Sequence, residues 1–74
     1  MPDADLVDEV AGVSLRLISA SKTGEIEGKD AAGEIERPEN EIYWAFQELK
    51  RRGTLDMYFP GGMGLPEIVR LPKG

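Results

Sequence analysis

The chain has 74 residues, a hydrophobic share of 41% and a net charge of -5, and it contains neither cysteine nor histidine. These numbers predict one small domain that folds by packing alone, and they exclude a disulfide framework, a thiolate zinc site and a catalytic or metal-binding histidine. No apolar run approaches the ~20 residues that span a bilayer, and the acidic N-terminus is unlike a signal peptide, so we expect a cytoplasmic protein with no membrane partner.

The excess negative charge lies in the first half of the chain. Residues 1–38 hold nine acidic and four basic side chains, whereas residues 39–74 hold five of each. Because an acidic surface attracts phosphate weakly, this distribution argues against strong nonspecific binding to nucleic acid or to an anionic membrane.

The first predicted helix begins at about Asp5, where the carboxylates of Asp5 and Asp8 favour the positive end of a helix dipole. Apolar side chains then recur at spacings of three and four residues, as expected for an amphipathic helix that buries one side. This stripe consists of Leu6, Val10, Val13 and Leu17, with Val7, Ala11 and Ile18 beside it.

A link with two glycines separates the first helix from the second. Gly24 suits the left-handed conformation after a helix, Gly28 breaks the chain again, and Ile26 between them indicates at most a short strand. Asp30 is the predicted N-cap of a short second helix over residues 31–37. Pro38 separates that helix from the next, because a proline disfavours helical dihedrals in the residue before it.

The third predicted helix runs from about Glu39 to Arg52 and ends at Gly53. A half-buried strand follows within residues 54–59, and a glycine-rich turn leads to a return strand within residues 67–71. The order of elements predicts an α+β domain over residues 5–71, with frayed termini at residues 1–4 and 72–74.

This order resembles the winged helix-turn-helix family over roughly residues 5–71. The resemblance rests on the segment GEIEGKDAAGEIERPENEIYWAFQELKRRGTL, which has a glycine-flanked link, a short helix with paired alanines, a turn, and a longer helix that ends in bases and glycine before a strand. It implies three helices with a C-terminal two-stranded β-hairpin wing. In members that bind DNA, the third helix enters the major groove and the wing touches the adjacent backbone.

The third helix has two distinct sides when its residues are placed at 100° per position. The core side holds Ile42, Ala45, Phe46 and Leu49. The opposite side holds Asn40, Trp44, Gln47 and Arg51, with Tyr43 at its edge. The helix therefore directs an amide, indole and guanidinium surface toward solvent.

The resemblance assigns roles in binding double-stranded DNA to these side chains. It makes Asn40 and Gln47 base readers, directs Arg51 to guanine or phosphate, and lets Tyr43 and Trp44 contact phosphate or sugar. Further phosphate contacts are expected from Lys29, Arg37, Lys50 and Arg52, and from backbone N–H groups at the wing tip, Gly61, Gly62 and Met63. The implied function is a transcriptional or replication/partition regulator of a prokaryote, phage or plasmid, and its acidity predicts dimerisation or attachment to another DNA-binding unit.

Two other interpretations of the third helix stay open. In one, Tyr43, Trp44 and the tip at Met63–Leu65 form the contact surface of a protein–protein adaptor, since aromatic and arginine residues dominate such interfaces. In the other, the N-terminal arm or the hairpin covers Trp44, which is then an ordinary core residue. The three consecutive bases 50–52 also suit a solvated helix end.

No enzymatic activity is expected from this sequence. A domain of this size rarely encloses the site that acid–base catalysis needs, so the acidic pairs are interpreted as surface charge. The glycine-rich turn matches no nucleotide-binding pattern, and the acids around Glu25 lack the ligand spacing of a calcium loop. We therefore expect no metal and no cofactor.

Overall fold

The computed structural model describes residues 3–62 and 64–73. Six elements follow one another in this part of the chain: α1 (Ala4–Ala20), β1 (Glu25–Ile26), α2 (Gly28–Ala32), α3 (Glu39–Arg52), β2 (Asp56–Tyr58) and β3 (Ile68–Arg70). This confirms a small α+β domain with three helices and a C-terminal hairpin. Met63, which the sequence predicted at a wing tip, and the terminal residues 1, 2 and 74 lie outside the described residues.

The three strands form one antiparallel sheet in the order β1-β3-β2. The short strand expected near Ile26 is present, and Ile26 pairs with Val69 of β3 while Met57 of β2 pairs with the same residue from the other side. On the central strand, Arg70 donates to Asp56 at 2.8 Å and to Glu25 at 3.3 Å. One guanidinium thus links all three strands.

Helix α1 begins earlier than its sequence indicates, because its cap is Asp3. The Asp3 carboxylate accepts the Asp5 N–H at 2.8 Å, which lets the helix begin at Ala4. The buried side of α1 also differs from the predicted stripe. Leu6, Val7, Val10, Ser14 and Ile18 are buried, whereas Val13 and Leu17 are only partly covered.

Helix α2 does not lie where the sequence predicted it. The Asp30 carboxylate accepts the Glu27 N–H at 3.0 Å, so Asp30 caps from inside the first turn and the helix begins at Gly28 instead of after Asp30. It ends at Ala32, and Ile35 is buried from the non-helical segment that follows. The prediction of a helix over residues 31–37 with Asp30 as N-cap is therefore wrong.

Gly28 is a contact point between α2 and the segment that leads into β3. Its N–H donates to the Pro66 carbonyl at 2.8 Å, and a Cβ at this position would lie 2.7 Å from that oxygen and from the Pro66 ring. Gly28 lies at the break between β1 and α2, and it also permits a close backbone approach that the sequence pattern did not indicate.

Helix α3 has the predicted bounds. Pro38 is its N-cap residue, and Gly53 has φ +76°, the left-handed conformation that ends many helices. The Thr54 N–H then closes back onto the Leu49 carbonyl at 3.0 Å, which turns the chain directly into the hairpin. In the described part of the chain, no helix is long and apolar enough to cross a membrane.

Substitution of Gly28 by alanine tests the contact with Pro66. Gly28→Ala is expected to lower the free energy of unfolding by about 1–3 kcal/mol, because the added methyl overlaps Pro66. The control is Gly12→Ala on the exposed side of α1, where an added Cβ has no atom within 4 Å apart from adjacent residues and the backbone of its own helix. It should raise stability by about 0.5–1 kcal/mol. Denaturant unfolding measures both, and equal effects would contradict the contact.

Ser14 is fully buried, and its Oγ has no hydrogen-bond partner among the described residues. Ser14→Ala is therefore expected to raise the free energy of unfolding by about 1 kcal/mol, because burial of an unpaired hydroxyl is unfavourable. Thermal and denaturant unfolding provide the measurement. Ser19→Ala, at an exposed position of α1, is the matched control. Loss of stability in Ser14→Ala beyond that of the control would mean that the hydroxyl is bonded.

Candidate nucleic-acid interface

The two sides of α3 are oriented as the helical periodicity predicts. Ile42, Ala45, Phe46 and Leu49 are buried in the core. Asn40 and Arg51 are exposed, Gln47 is half-buried, and Trp44 retains 48% of its surface in contact with solvent. The interpretation of Trp44 as a core residue is therefore wrong, and the indole is available for contact.

Tyr43 is buried, which differs from its predicted position on the surface of α3. It was placed at the edge of the outward side, but only 8% of it is exposed. Trp44 packs edge-on against its ring at 5.0 Å between centroids, and Phe59 packs edge-on at 5.7 Å. The Tyr43 hydroxyl accepts a hydrogen bond from the Gln47 Nε2 at 3.0 Å. Its ring is thus part of the packing below the surface, and its hydroxyl already has a partner.

Phe59 joins the hairpin to α3, and the sequence did not identify it as a site residue. It follows β2 and contacts Tyr43, and the Lys50 ammonium lies 5.4 Å from the centre of its ring. Its place at the end of an alternating strand predicted only burial. The sequence feature that could have indicated the contact between Phe59 and α3 is Gly53, because a short turn there directs the hairpin back toward α3.

Glu48 is a second residue that the sequence analysis did not assign to the site. Its carboxylate accepts hydrogen bonds from Arg51 at 2.5 Å and from Arg52 at 2.7 Å. The hydrogen bond from Arg51, followed by that from Arg52, lowers the pKa of Glu48 to about 2. Glu48 in turn raises the pKa of Arg51. The spacings of three and four residues along one helix were the visible signal for this cluster.

Arg37 and Lys29, two further predicted phosphate contacts, also lie beside carboxylates. Arg37 donates to Glu41 at 2.6 Å and to Asp3 at 3.5 Å, and the hydrogen bond to Glu41 is the main cause of its raised pKa. Lys29 lies 3.6 Å from Glu27 at the start of α2. These contacts do not join either base to the outward side of α3. The contacts therefore form two groups on α3. Tyr43 and Phe59 connect Trp44, Gln47 and Lys50, whereas Glu48 connects Arg51 and Arg52. Lys29 and Arg37 form ion pairs elsewhere.

The described part of the predicted wing tip, in the hairpin turn, presents backbone groups and no charged side chain. Gly61 and Gly62 are exposed and have positive φ values, and Leu65 is half-buried against the core. Met63, which the DNA-binding and adaptor interpretations both include, lies outside the described residues. Within residues 3–62 and 64–73, no group of three or more acidic side chains is arranged to hold a metal ion.

Comparison with known proteins finds no similar protein for this chain. No protein-family model, no curated protein and no solved structure matches it. The geometry of α3 and the hairpin is therefore the basis for inferring function.

The pKa of Glu48 predicts how pH affects the cluster on α3. Because this pKa is lowered from an ordinary value of 4.5 to about 2, the cluster stabilises the fold above pH 4.5 and loses that contribution as the pH falls toward 2. Carboxyl-detected NMR should find a Glu48 midpoint near 2 in the wild type. In Arg51→Ala/Arg52→Ala it should return toward 4.5. An ordinary midpoint in the wild type would show that the guanidinium groups do not hold Glu48.

Proposed function

We propose that this chain is a small winged-helix DNA-binding module that inserts α3 into the major groove of a duplex and serves in transcriptional or replication/partition control. Three helices, the last followed by a hairpin, and a three-stranded antiparallel sheet in the order β1-β3-β2 are compatible with a winged-helix arrangement. The hairpin corresponds to the wing.

The observation that carries the proposal is the continuity of α3 with the hairpin. Phe59 at the end of β2 packs on Tyr43, which packs on the half-exposed Trp44. Packing through the buried Tyr43 ring therefore joins the outward side of the helix to the hairpin at the point where its turn begins. The outward side carries the amides of Asn40 and Gln47 and the guanidinium of Arg51, groups that pair with base edges and phosphates.

The electrostatics of this surface predict weak binding by an isolated domain. Arg51 and Arg52 share Glu48, so contact with phosphate requires exchange of one anion for another. The Arg51 side chain is 72% exposed and is free to turn toward a phosphate, whereas the Glu48 side chain is 15% exposed and stays close. The residual carboxylate opposes binding, which is why a second copy or a linked DNA-binding unit is needed for useful affinity.

Neutralisation of Glu48 provides a sharp test of DNA binding. Glu48→Gln is expected to raise duplex affinity roughly tenfold and to steepen its loss with salt, because it releases two guanidinium groups to phosphate. Arg51→Ala should weaken binding roughly tenfold or more and flatten the salt dependence. Trp44 fluorescence during titration with random-sequence duplex at low and moderate salt measures both effects.

The matched control is Glu9→Gln, which removes one negative charge at an exposed position of α1, outside α3 and the hairpin. It changes the net charge as Glu48→Gln does, but it leaves the cluster on α3 intact. If the two variants gain duplex affinity equally, the effect is one of overall charge and α3 is not the contact. Absence of duplex binding by Glu48→Gln at low salt would refute the proposed function.

A protein–protein adaptor is the second candidate, and the ion pairs favour it. Arg37, Arg51 and Arg52 all lie beside carboxylates, which leaves Trp44 as the dominant exposed group on α3. A partially exposed tryptophan among compensated charges is typical of an interface hot spot. In that case Trp44→Ala abolishes binding to a protein partner, whereas Arg51→Ala and Gln47→Ala leave it unchanged and none of the variants affects duplex.

A further inference from the structure

Tyr43 has a fixed place beneath the surface of α3. Its ring makes T-shaped contacts with Trp44 and Phe59, with interplanar angles of 75° and 76°. Because one of these neighbours comes from the helix and the other from the hairpin, rotation of the Tyr43 side chain would disrupt both contacts. Its hydroxyl therefore has a defined position between the buried ring and the solvent-exposed surface of α3.

Gln47 lies one turn later on α3 and is anchored to that hydroxyl. Its Nε2 donates to the Tyr43 oxygen at 3.0 Å, and this contact is partly buried. A carboxamide has two N–H donors and one carbonyl acceptor, so one donor is used by Tyr43. Among the described residues, the Gln47 side chain makes no other hydrogen bond. The second N–H and the carbonyl oxygen remain for a ligand.

We infer that Gln47 is the adenine-reading residue of the proposed duplex interface and that Tyr43 is a positioning residue that orients its amide; the inference rests on the proposed function. In the major groove, adenine presents an N7 acceptor beside an N6 amino donor. The free N–H and carbonyl of Gln47 are the complementary pair. In this arrangement Tyr43 supports the amide from beneath the surface, and its hydroxyl oxygen accepts the Gln47 N–H.

The anchoring has a direct consequence for selectivity. A free glutamine side chain loses rotamer freedom when it pairs with a base, whereas Gln47 is already restricted in the unbound protein. The contact of Phe59 with Tyr43 makes the hairpin part of this restriction, so the wing influences base reading without contacting the base. Selectivity therefore depends on the Tyr43 hydroxyl, and nonspecific phosphate binding does not.

The first arm of the test uses the free protein. The side-chain amide of Gln47 is observed by ¹⁵N NMR in the wild type and in Tyr43→Phe, which keeps the ring and removes the hydroxyl. The wild type should show one slowly exchanging amide proton that responds to the substitution. Thermal unfolding confirms that the variant folds. If both Gln47 amide protons behave like those of a solvated glutamine in the wild type, the positioning role is overturned.

The second arm selects duplexes from a random-sequence library with the wild type, Tyr43→Phe, Gln47→Ala and the double variant. The wild type should prefer adenine at one position, and Gln47→Ala should lose that preference, roughly tenfold. Tyr43→Phe should lose several-fold of it at the same position only, with nonspecific duplex affinity unchanged. The double variant should be no less selective than Gln47→Ala.

Each other result has a distinct meaning. Uniform loss of affinity across all sequences in Tyr43→Phe would identify its hydroxyl as a phosphate donor and overturn the inference. Duplex binding without an adenine preference that depends on Gln47 would overturn the inference while the proposed function stands. Failure of the wild type and of Glu48→Gln to bind any duplex at low salt would overturn both.

Discussion

The packing of α3 against α1 is the interaction on which the rest of the structure depends. Phe46, Leu49 and Ile42 are buried together with Leu6 and Val10 of α1 in one core. Because successive helical residues are 100° apart, burial of this side leaves Asn40, Trp44 and Arg51 facing solvent. The same packing orients the C-terminal end of α3, so Gly53 returns the chain as a hairpin along the helix and Phe59 reaches Tyr43.

The ion pairs of this domain are of two kinds, those within α3 and those between distant segments. Along α3, acids and bases neutralise each other within three or four residues, as Glu48 does with Arg51 and Arg52. Across the fold, single arginines join distant segments, as Arg37 joins the start of α1 to α3 and Arg70 joins the three strands. Exposed pairs of this kind are weakly stabilising in water. Several arginines of the domain are thus paired with carboxylates of the same chain.

Structural features that depend on neighbouring residues agree with the sequence-based predictions better than features that depend on tertiary contacts. Helix α3 was predicted with correct bounds because a proline, a continuous apolar side and a terminal glycine lie within its own segment. Helix α2 was misplaced because Asp30 bonds backward to Glu27, and an acidic residue at a helix start is compatible with either position. In α1, Leu6 and Val10 of the predicted stripe are buried and Val13 and Leu17 are partly buried. Contact with the rest of the domain also buries Ser14, which the apolar pattern did not include. The candidate surface was partly predictable, since the exposure of Asn40, Trp44 and Arg51 depends only on helical geometry.

By itself, the sequence determined the number and order of the elements, the limits of α3 and the side of that helix that is free of the core. These features depend on interactions within a few residues, which a linear pattern records. Only the tertiary structure decided that β1 joins β3, that Gly28 meets Pro66, and that Tyr43 lies beneath Trp44 and Phe59 with its hydroxyl on Gln47. The strand pairing, the Gly28–Pro66 approach and the covering of Tyr43 by Phe59 join residues that are distant along the chain. Their formation depends on how the helices and the hairpin close around one core.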